Sequence, residues 1–216
     1  TQALAAPDAA WRGRLDVRVL HNPQPLGFGA NHNQAFGHEQ QQSAPSPFFV
    51  VMNPDITWSQ DPWVAMLQAA QQPGVGCVYP QQVDAHGQPQ DHARRLPTPG
   101  ALLRRYLGGA ARRRVRVAAP DWANAALLLF HSVAYQRIQG FDEAYHMYCE
   151  DVDICLRLQL AGYRLAEAQD ACVVHVGQRA SHRQWRHLGW HLRSLWRLWH
   201  SPAYQQFQQN HARRVG

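Results

Sequence analysis

Apolar and polar positions along this chain predict strands and helices that alternate. Residues 15–20 alternate well enough for a strand, and residues 48–52 (FFVVM) form the continuous apolar run of a strand buried on both faces. A glycine loop at residues 27–29 opens a helix. The same pattern predicts three helical segments: a helix over residues 61–72 with Asp61 as N-cap, a helical turn over 132–137 and a long helix over 182–200. It also predicts short strands over residues 76–79, 163–166 and 171–174 and a buried segment over 122–130. This alternation indicates an α/β domain with a largely parallel sheet.

The most distinctive stretch is acidic and runs over residues 140–162, GFDEAYHMYCEDVDICLRLQLAG. Apolar residues at helical spacing predict a helix that ends at Gly162. Glu150, Asp151 and Asp153 then crowd its first turn, where the helix dipole favours anions. Crowded carboxylates raise one another's pKa and call for a cation or a proton nearby. The structural alternative is an acidic helix start with a surface pair between Asp153 and Arg157.

Three polar residues fall where ligands bind in layered α/β domains, at the carboxyl ends of strands or the starts of helices. Asp55 follows the strand over residues 48–52 and is held by Pro54, Asp151 begins the acidic helix, and His175 follows the strand over residues 171–174. A carboxylate and an imidazole are a plausible ligand pair for Mg²⁺ or Mn²⁺ that bridges a diphosphate. Each residue alone has a simpler structural explanation, but their matching positions favour a functional site.

Composition limits the class of protein. A chain of 216 residues with 45% hydrophobic residues fits one globular domain. The net charge of +6 comes from arginine alone, since the sequence has no lysine, and predicts affinity for anionic partners. Residues 96–120, which are rich in proline, glycine and arginine, are interpreted as a mobile, solvated loop. Nucleic-acid binding is a weaker alternative because no recognition motif is present.

Several common enzyme classes lack their motifs. Gly27-Phe28-Gly29 is not followed by the third glycine of a dinucleotide fingerprint, and position 32 is histidine. A phosphate-binding loop needs a lysine that the chain does not contain, and no serine nucleophile elbow occurs. The four cysteines have no CxxC spacing and fit buried thiols in a reducing compartment.

The order of motifs resembles that of family 2 glycosyltransferases. The motifs are LGFGANHNQAF, FFVVMNPD, W-x-x-A-A-L-L-L, GFDEAYHMYCEDVDICLRLQLAGYRL and VVH, and together they span most of residues 15–200. The resemblance is closest to the rhamnosyltransferase-like branch, which has NPD where other members have DxD. It implies a GT-A fold, a metal cofactor and inverting transfer of a sugar from a nucleotide donor.

The resemblance also implies roles for individual residues. Asp151 is the expected base that deprotonates the acceptor hydroxyl, with Glu150 and Asp153 as supporting acids. Asp55 and His175 are the expected ligands of Mg²⁺ or Mn²⁺. The donor is expected to contact Gly27, Phe28, Asn33, Asn53 and Asp55, and the sugar or acceptor Trp122, Asp142 and Glu143. The expected donor is a nucleotide-diphosphate sugar, dTDP-rhamnose, and the acceptor is a glycan or lipid-linked hydroxyl in surface polysaccharide synthesis.

One departure from the family pattern concerns the amino terminus. The two strands that usually hold the base and ribose are not seen before residue 15, so we expect a catalytic domain over residues 1–181 that is incomplete at this end. This leaves a second hypothesis open, an inactive transferase domain that binds a membrane or a protein.

The carboxy-terminal residues 182–216 are predicted to form an amphipathic helix and a tail. Tryptophans, leucines and arginines alternate in RQWRHLGWHLRSLWRLWHS, which is typical of helices that lie in a membrane interface. Packing on the catalytic domain is the slightly favoured alternative, and we expect both together, with one face buried and the arginines towards anionic headgroups. No apolar run reaches the length of a membrane span. We therefore expect a cytoplasmic protein with peripheral contact to an anionic membrane and no nucleic-acid partner.

Overall fold

A five-stranded sheet lies at the centre of the computed structural model, which describes residues 14–102, 117, 119–176 and 185–215. Helices pack on it from both sides. The strands are β1 (Phe48–Met52), β2 (Ile56–Thr57), β3 (Val75–Val83), β4 (Ala93–Arg94), β5 (Trp122–Ala123), β6 (Leu127–His131) and β7 (Arg164–His175). The helices are α1 (Phe28–Gln40), α2 (Trp63–Ala70), α3 (Ser132–Arg137), α4 (Glu150–Leu160), α5 (Trp185–His200) and α6 (Pro202–Val215).

The α/β class is confirmed, but the sheet is mixed and not mostly parallel. Its strand order is β1-β6-β3-β7-β2, and β4 pairs with β5 in a separate ribbon. Only β3 and β7 pair in parallel, whereas β6 runs antiparallel to both of its neighbours and β2 antiparallel to β7. Buried apolar runs predict that a strand exists but not its direction, because both kinds of pairing bury the same side chains.

The directions of the strands create one functional edge. Strands β1, β3 and β7 all point the same way, since β6 reverses direction between β1 and β3. Their carboxyl ends therefore meet at the same edge, where β1 leads into Asn53 and β7 ends at His175. Strand β6 starts at this edge, next to a hydrogen bond from the Asn53 amide to the Ala126 carbonyl (2.8 Å).

Each face of the sheet has its own core. On one face α2 packs with Met66 against β3, β6 and β7. On the other face α1, α3, α4 and the carboxy-terminal helices share a larger core, to which Leu198 and Tyr204 contribute. Helices α5 and α6 therefore pack on the rest of the chain with part of their surface. The domain boundary predicted at residue 181 lies outside the described residues.

Most predicted elements are present, with changes at their ends. Residues 15–20 are exposed and form no strand, because no described segment pairs with them. The two strands predicted over residues 163–166 and 171–174 are one strand, β7, which pairs with β3 across a bulge. Helix α2 begins at Trp63, whose amide donates to the Asp61 carboxylate (2.8 Å). Gly162 ends α4 as predicted, with φ +91°.

A polar clamp joins α1 to the loop before α4. The Asn33 carboxamide donates to the Phe141 carbonyl and the Glu143 carboxylate (both 2.9 Å). Its oxygen accepts from the Phe141 amide (2.9 Å) and the Tyr135 hydroxyl (2.7 Å). All four hydrogen-bonding positions of this side chain are used within the chain.

We expect Asn33→Ala to lower the free energy of unfolding by about 2–3 kcal/mol, because several partly buried polar groups lose their partners together. Chemical denaturation measures the change. His38→Ala, at an exposed position of the same helix, is the matched control and is expected to change stability by less than about 0.5 kcal/mol. Equal effects of the two substitutions would contradict the clamp.

Candidate active site

Asp55 and His175 meet at the functional edge of the sheet. The Asp55 Oδ1 atom lies 3.7 Å from the His175 Nε2 atom, and both side chains are partly exposed. Pairing of β2 with the end of β7 brings them together, since Ile56 lies opposite His175. The side chain of Gln90 donates to the His175 carbonyl (2.6 Å) and holds this strand end from the other side.

The two side chains fit a divalent cation. Two ligand atoms about 2.1 Å from one ion lie about 3–4 Å apart, which matches their separation. The described residues contain no group of three or more His, Cys, Asp or Glu side chains suited to a metal. A site with two protein ligands is typical of Mg²⁺, which keeps its waters and binds substrate phosphates. In the described residues His175 Nδ1 is buried without a hydrogen-bond partner.

The second part of the site is the start of α4. Tyr148 and Cys149 have φ of 71° and 64°, and this left-handed turn leads directly into Glu150 and Asp151. Glu150 is buried, and its Oε2 has no partner among the described residues. Such strain and unsatisfied polarity are found at functional sites more often than elsewhere.

Burial raises the pKa of both carboxyl groups. For Glu150 the negative charge of Asp151 raises the pKa further, after burial. For Asp151 burial also dominates, opposed by hydrogen bonding to the Val152 amide and by the positive charge of Arg94. The predicted direction is therefore confirmed, but its main cause is loss of water and not crowding by neighbouring acids.

Among the described residues, Arg94 is the cation whose charge acts on Asp151. It pairs with the Asp91 carboxylate (2.9 Å), and its guanidinium lies over the Trp122 ring, 5.2 Å from the centroid. Trp122 itself is buried and donates its indole N–H to the Arg95 carbonyl (3.0 Å). The polar surface next to Trp122 is thus provided by Arg94, and the tryptophan supports it.

Residues 122–126 connect the two parts of the site. Asn124 and Gln82 exchange side-chain hydrogen bonds of 2.6 and 3.0 Å, which tie this segment to the end of β3. The Cys155 thiol of α4 donates to the Ala123 carbonyl (3.6 Å). The segment therefore joins the strand ends, where Asp55 lies, to the helix that carries Asp151.

The other acids of the stretch have structural partners. Asp153 is buried and pairs with Arg157 (2.7 Å), which also donates to the carbonyls of Ile138 and Gly140. Asp142 pairs with Arg197 of α5 (2.8 Å). Together with Glu143 they border a cavity of about 710 Å³ between the loop and the last two helices. The predicted surface pair between Asp153 and Arg157 is thus present, but as a partly buried clamp.

Gly27, Phe28 and Asn33, which are predicted to contact the donor, make close contacts within the chain. The Phe28 amide donates to the His146 carbonyl (3.1 Å), and a Cβ on Gly27 would lie 2.8 Å from that oxygen. The glycine thus allows close approach of two backbones. Asn33 has no free hydrogen-bonding position. These residues dock α1 onto the loop that precedes α4, and Asn53 and Asp55 are the predicted donor residues that remain at the functional edge.

Some site residues have no signal in the sequence. Gln82 and Gln90 lie in polar stretches without a motif, and Asn124 lies at a variable position of the W-x-x-A-A-L-L-L motif; their roles depend on hydrogen bonds to distant parts of the chain. Arg94 stands out by its charge, but only β4–β5 pairing brings it near Asp151.

Two curated proteins resemble this chain over most of its length. Rhamnosyltransferase WbbL of Escherichia coli is 26% identical over 184 residues, which cover 79% of this chain and 69% of that protein. An N-acetylglucosaminyl-diphospho-decaprenol L-rhamnosyltransferase of Mycobacterium tuberculosis is 30% identical over 189 residues, which cover 78% of this chain and 62% of that protein. The chain thus spans roughly two thirds of the length of each.

The fold is GT-A-like. A solved structure of the mannosyltransferase PcManGT from Pyrobaculum calidifontis, in complex with GDP-Man and Mn²⁺, matches with a TM-score of 0.51 at 19% identity. The match covers 82% of this chain and 46% of that one. At this identity the likeness shows the fold alone, and it confirms the architecture that the motifs imply.

The sequence profile described as "Glycosyl transferase family 2" matches residues 1–123, more than half of the chain. The chain therefore belongs to glycosyltransferase family 2. This confirms the family and the transferase class that the motifs predict.

We expect Glu150→Gln to stabilise the protein, and more so as the pH rises. A carboxyl group whose folded pKa is raised contributes stability below its unfolded pKa, and this is lost as the pH rises through the folded pKa. The neutral amide removes that loss. Thermal unfolding of both proteins at about pH 5 and about pH 8 measures the effect, and the gain is expected to be larger at the higher pH.

Asp170→Asn, at an exposed position, is the control and is expected to behave like the wild type at both pH values. A gain for Glu150→Gln that did not grow with pH would show that Glu150 is stably ionised in the folded protein.

Proposed function

We propose that this protein is a metal-dependent inverting glycosyltransferase. It transfers rhamnose from a nucleotide-diphosphate donor, dTDP-rhamnose, to a hydroxyl of a glycan or lipid-linked acceptor in surface polysaccharide synthesis. The names of the two curated relatives, both rhamnosyltransferases, support the choice of sugar. The decaprenol-linked substrate named for the mycobacterial relative supports a lipid-linked acceptor.

The observation that carries the proposal is the approach of Asp55 and His175 at the sheet edge (3.7 Å). A carboxylate and an imidazole in this position offer two ligands to Mg²⁺ or Mn²⁺. Such an ion, when bound, stabilises the charge that develops on a leaving diphosphate. The Mn²⁺ in the complex of PcManGT agrees with this assignment.

The start of α4 supplies the base. Asp151 is proposed to accept the proton of the acceptor hydroxyl as that oxygen attacks the anomeric carbon. A partly buried carboxylate with a raised pKa is a stronger base than one in water, and general-base catalysis contributes typically about 10²–10⁴-fold in rate. Arg94 keeps enough Asp151 ionised to act as a base, because its positive charge opposes the effect of burial. Glu150 is proposed to act as a neutral, supporting acid.

A cytoplasmic location is part of the proposal. All four cysteines are free, and three of them are buried, which fits a reducing compartment. None of the described helices is long and apolar enough to cross a membrane.

Two substitutions separate the metal site from the base. We expect Asp55→Ala to weaken Mn²⁺-dependent binding of dTDP, measured as a thermal shift, because the cation loses its carboxylate ligand. Asp151→Asn is expected to leave this binding unchanged and to lower the rate of rhamnose transfer by about 10²–10⁴-fold.

Asp170→Asn is the matched control for both measurements and is expected to leave them unchanged. If dTDP with Mn²⁺ gave no shift in the wild-type protein, the chain would be an inactive transferase domain. If Asp151→Asn transferred rhamnose at the wild-type rate, the base would have to be another group.

The pH dependence of transfer tests the raised pKa of Asp151. The base acts only when unprotonated, so kcat/KM is expected to fall as the pH drops, at a pH above the ordinary aspartate pKa of about 3.9. Arg94→Leu is expected to move this acid limb further upward, since a charge that lowers the pKa is removed. Arg95→Leu, one residue away and more exposed, is the control. An acid limb that did not move would exclude Asp151 as the titrating group.

A further inference from the structure

One face of α5 exposes a row of large apolar side chains. Leu188, Leu192 and Trp196 are 47%, 57% and 63% exposed. Their spacing of four residues places them along one stripe of the helix. We call these three residues the apolar stripe. Exposed apolar side chains that form a contiguous row mark interaction surfaces more often than single ones do.

The stripe is exposed although the helix is firmly docked. Ser194, Leu195 and Leu198 of the same helix are buried, and the Ser194 hydroxyl donates to the Met147 carbonyl (2.8 Å). The orientation of α5 is therefore set by packing, and the stripe faces away from the core.

Charge is distributed unevenly along the chain and favours an anionic partner. None of the 15 acidic residues lies after Asp170, whereas seven of the 21 arginines do. The first 170 residues hold the remaining 14 arginines and all 15 acids and are close to neutral, so the last segment accounts for the net charge of +6. On α5 itself, Arg193 follows Leu192 of the apolar stripe and is exposed, whereas Arg197 pairs with Asp142.

We propose that the apolar stripe and the exposed Arg193 form a docking surface for an anionic lipid bilayer, with α5 lying in the plane of the interface. The leucines and the tryptophan enter the boundary between headgroups and acyl chains, and Arg193 contacts anionic headgroups. Helix α5 is not apolar enough to span a bilayer, which agrees with a position on its surface.

The docking surface is coupled to the acidic helix by direct contacts. Helix α5 packs on the loop over residues 145–149. The ring centroids of Trp190 and His146 are 5.1 Å apart, and those of His191 and Tyr148 are 5.0 Å apart. That loop leads into Glu150 and Asp151. Docking therefore places the start of α4 close to the bilayer. The conclusion that this position gives access to a lipid-linked acceptor rests on the proposed function.

The test is sedimentation with vesicles of phosphatidylcholine, with and without phosphatidylglycerol, in the absence of donor and metal. The wild-type protein is expected to bind vesicles with phosphatidylglycerol and to be released by salt, since headgroup attraction is screened. Leu192→Asp is expected to weaken binding roughly tenfold or more, because an apolar contact is replaced by a like-charged one. Val64→Asp, at an equally exposed apolar position on α2 (62%), is the control and is expected to bind as the wild type does.

A charge reversal tests the electrostatic part. Arg193→Glu is expected to weaken binding to vesicles with phosphatidylglycerol, and Arg137→Glu, an exposed arginine of α3, is expected to change it less. Equal loss in both variants would mean that only net charge matters and would overturn the surface. Binding of Leu192→Asp to these vesicles at the wild-type level would also overturn the proposed surface. So would a wild-type protein that binds no vesicles, with Leu192→Asp changing only the oligomeric state. Transfer to a soluble acceptor, measured in parallel, is expected to be unchanged in Leu192→Asp and separates failure of docking from failure of the proposed reaction.

Discussion

The arrangement of the candidate site depends on the partly buried guanidinium of Arg157. It pairs with Asp153 and donates to the carbonyls of Ile138 (2.6 Å) and Gly140 (2.8 Å). These contacts hold a turn in which Gln139 and Gly140 both have positive φ. A charged group with this many partners is costly to disturb, because each unpaired partner would remain partly buried. The loop that leads to α4 is thereby fixed at its beginning.

The same loop is fixed at two further points. Asn33 of α1 makes three of its four hydrogen bonds to it, and Ser194 of α5 holds its end through the Met147 carbonyl (2.8 Å). With three anchors the loop is able to present a left-handed turn at residues 148–149, followed by the buried Glu150 and the partly buried Asp151. The free energy that such a strained, acidic start costs is offset by contacts elsewhere in the domain. This explains why many polar residues near the site serve structure.

The two parts of the site solve different electrostatic problems. At the sheet edge Asp55 and His175 remain partly exposed, where a hydrated cation and a diphosphate have access. At the start of α4 burial raises the pKa of Asp151, and Arg94 limits the rise. The sheet edge is accessible to a cation, and the carboxylate of Asp151 is less hydrated. This arrangement agrees with the proposed sugar transfer, since the leaving group needs positive charge and the acceptor needs a base.

The sequence by itself determined the element types, most of their positions, and the candidates Asp55, Asp151 and His175, because local periodicity and turn residues mark where strands end and helices begin. The family motifs added the fold and the transferase class. Only the tertiary structure decided that β6 runs antiparallel, that Asp55 lies 3.7 Å from His175, and that Asn33 is a structural residue. These features depend on pairing between residues far apart in the chain, and an apolar run or a lone asparagine carries no information about its distant partner. The helical spacing of apolar residues before Gly162 predicts the acidic helix. The burial that raises the pKa of its carboxyl groups exists only once the domain has packed around it.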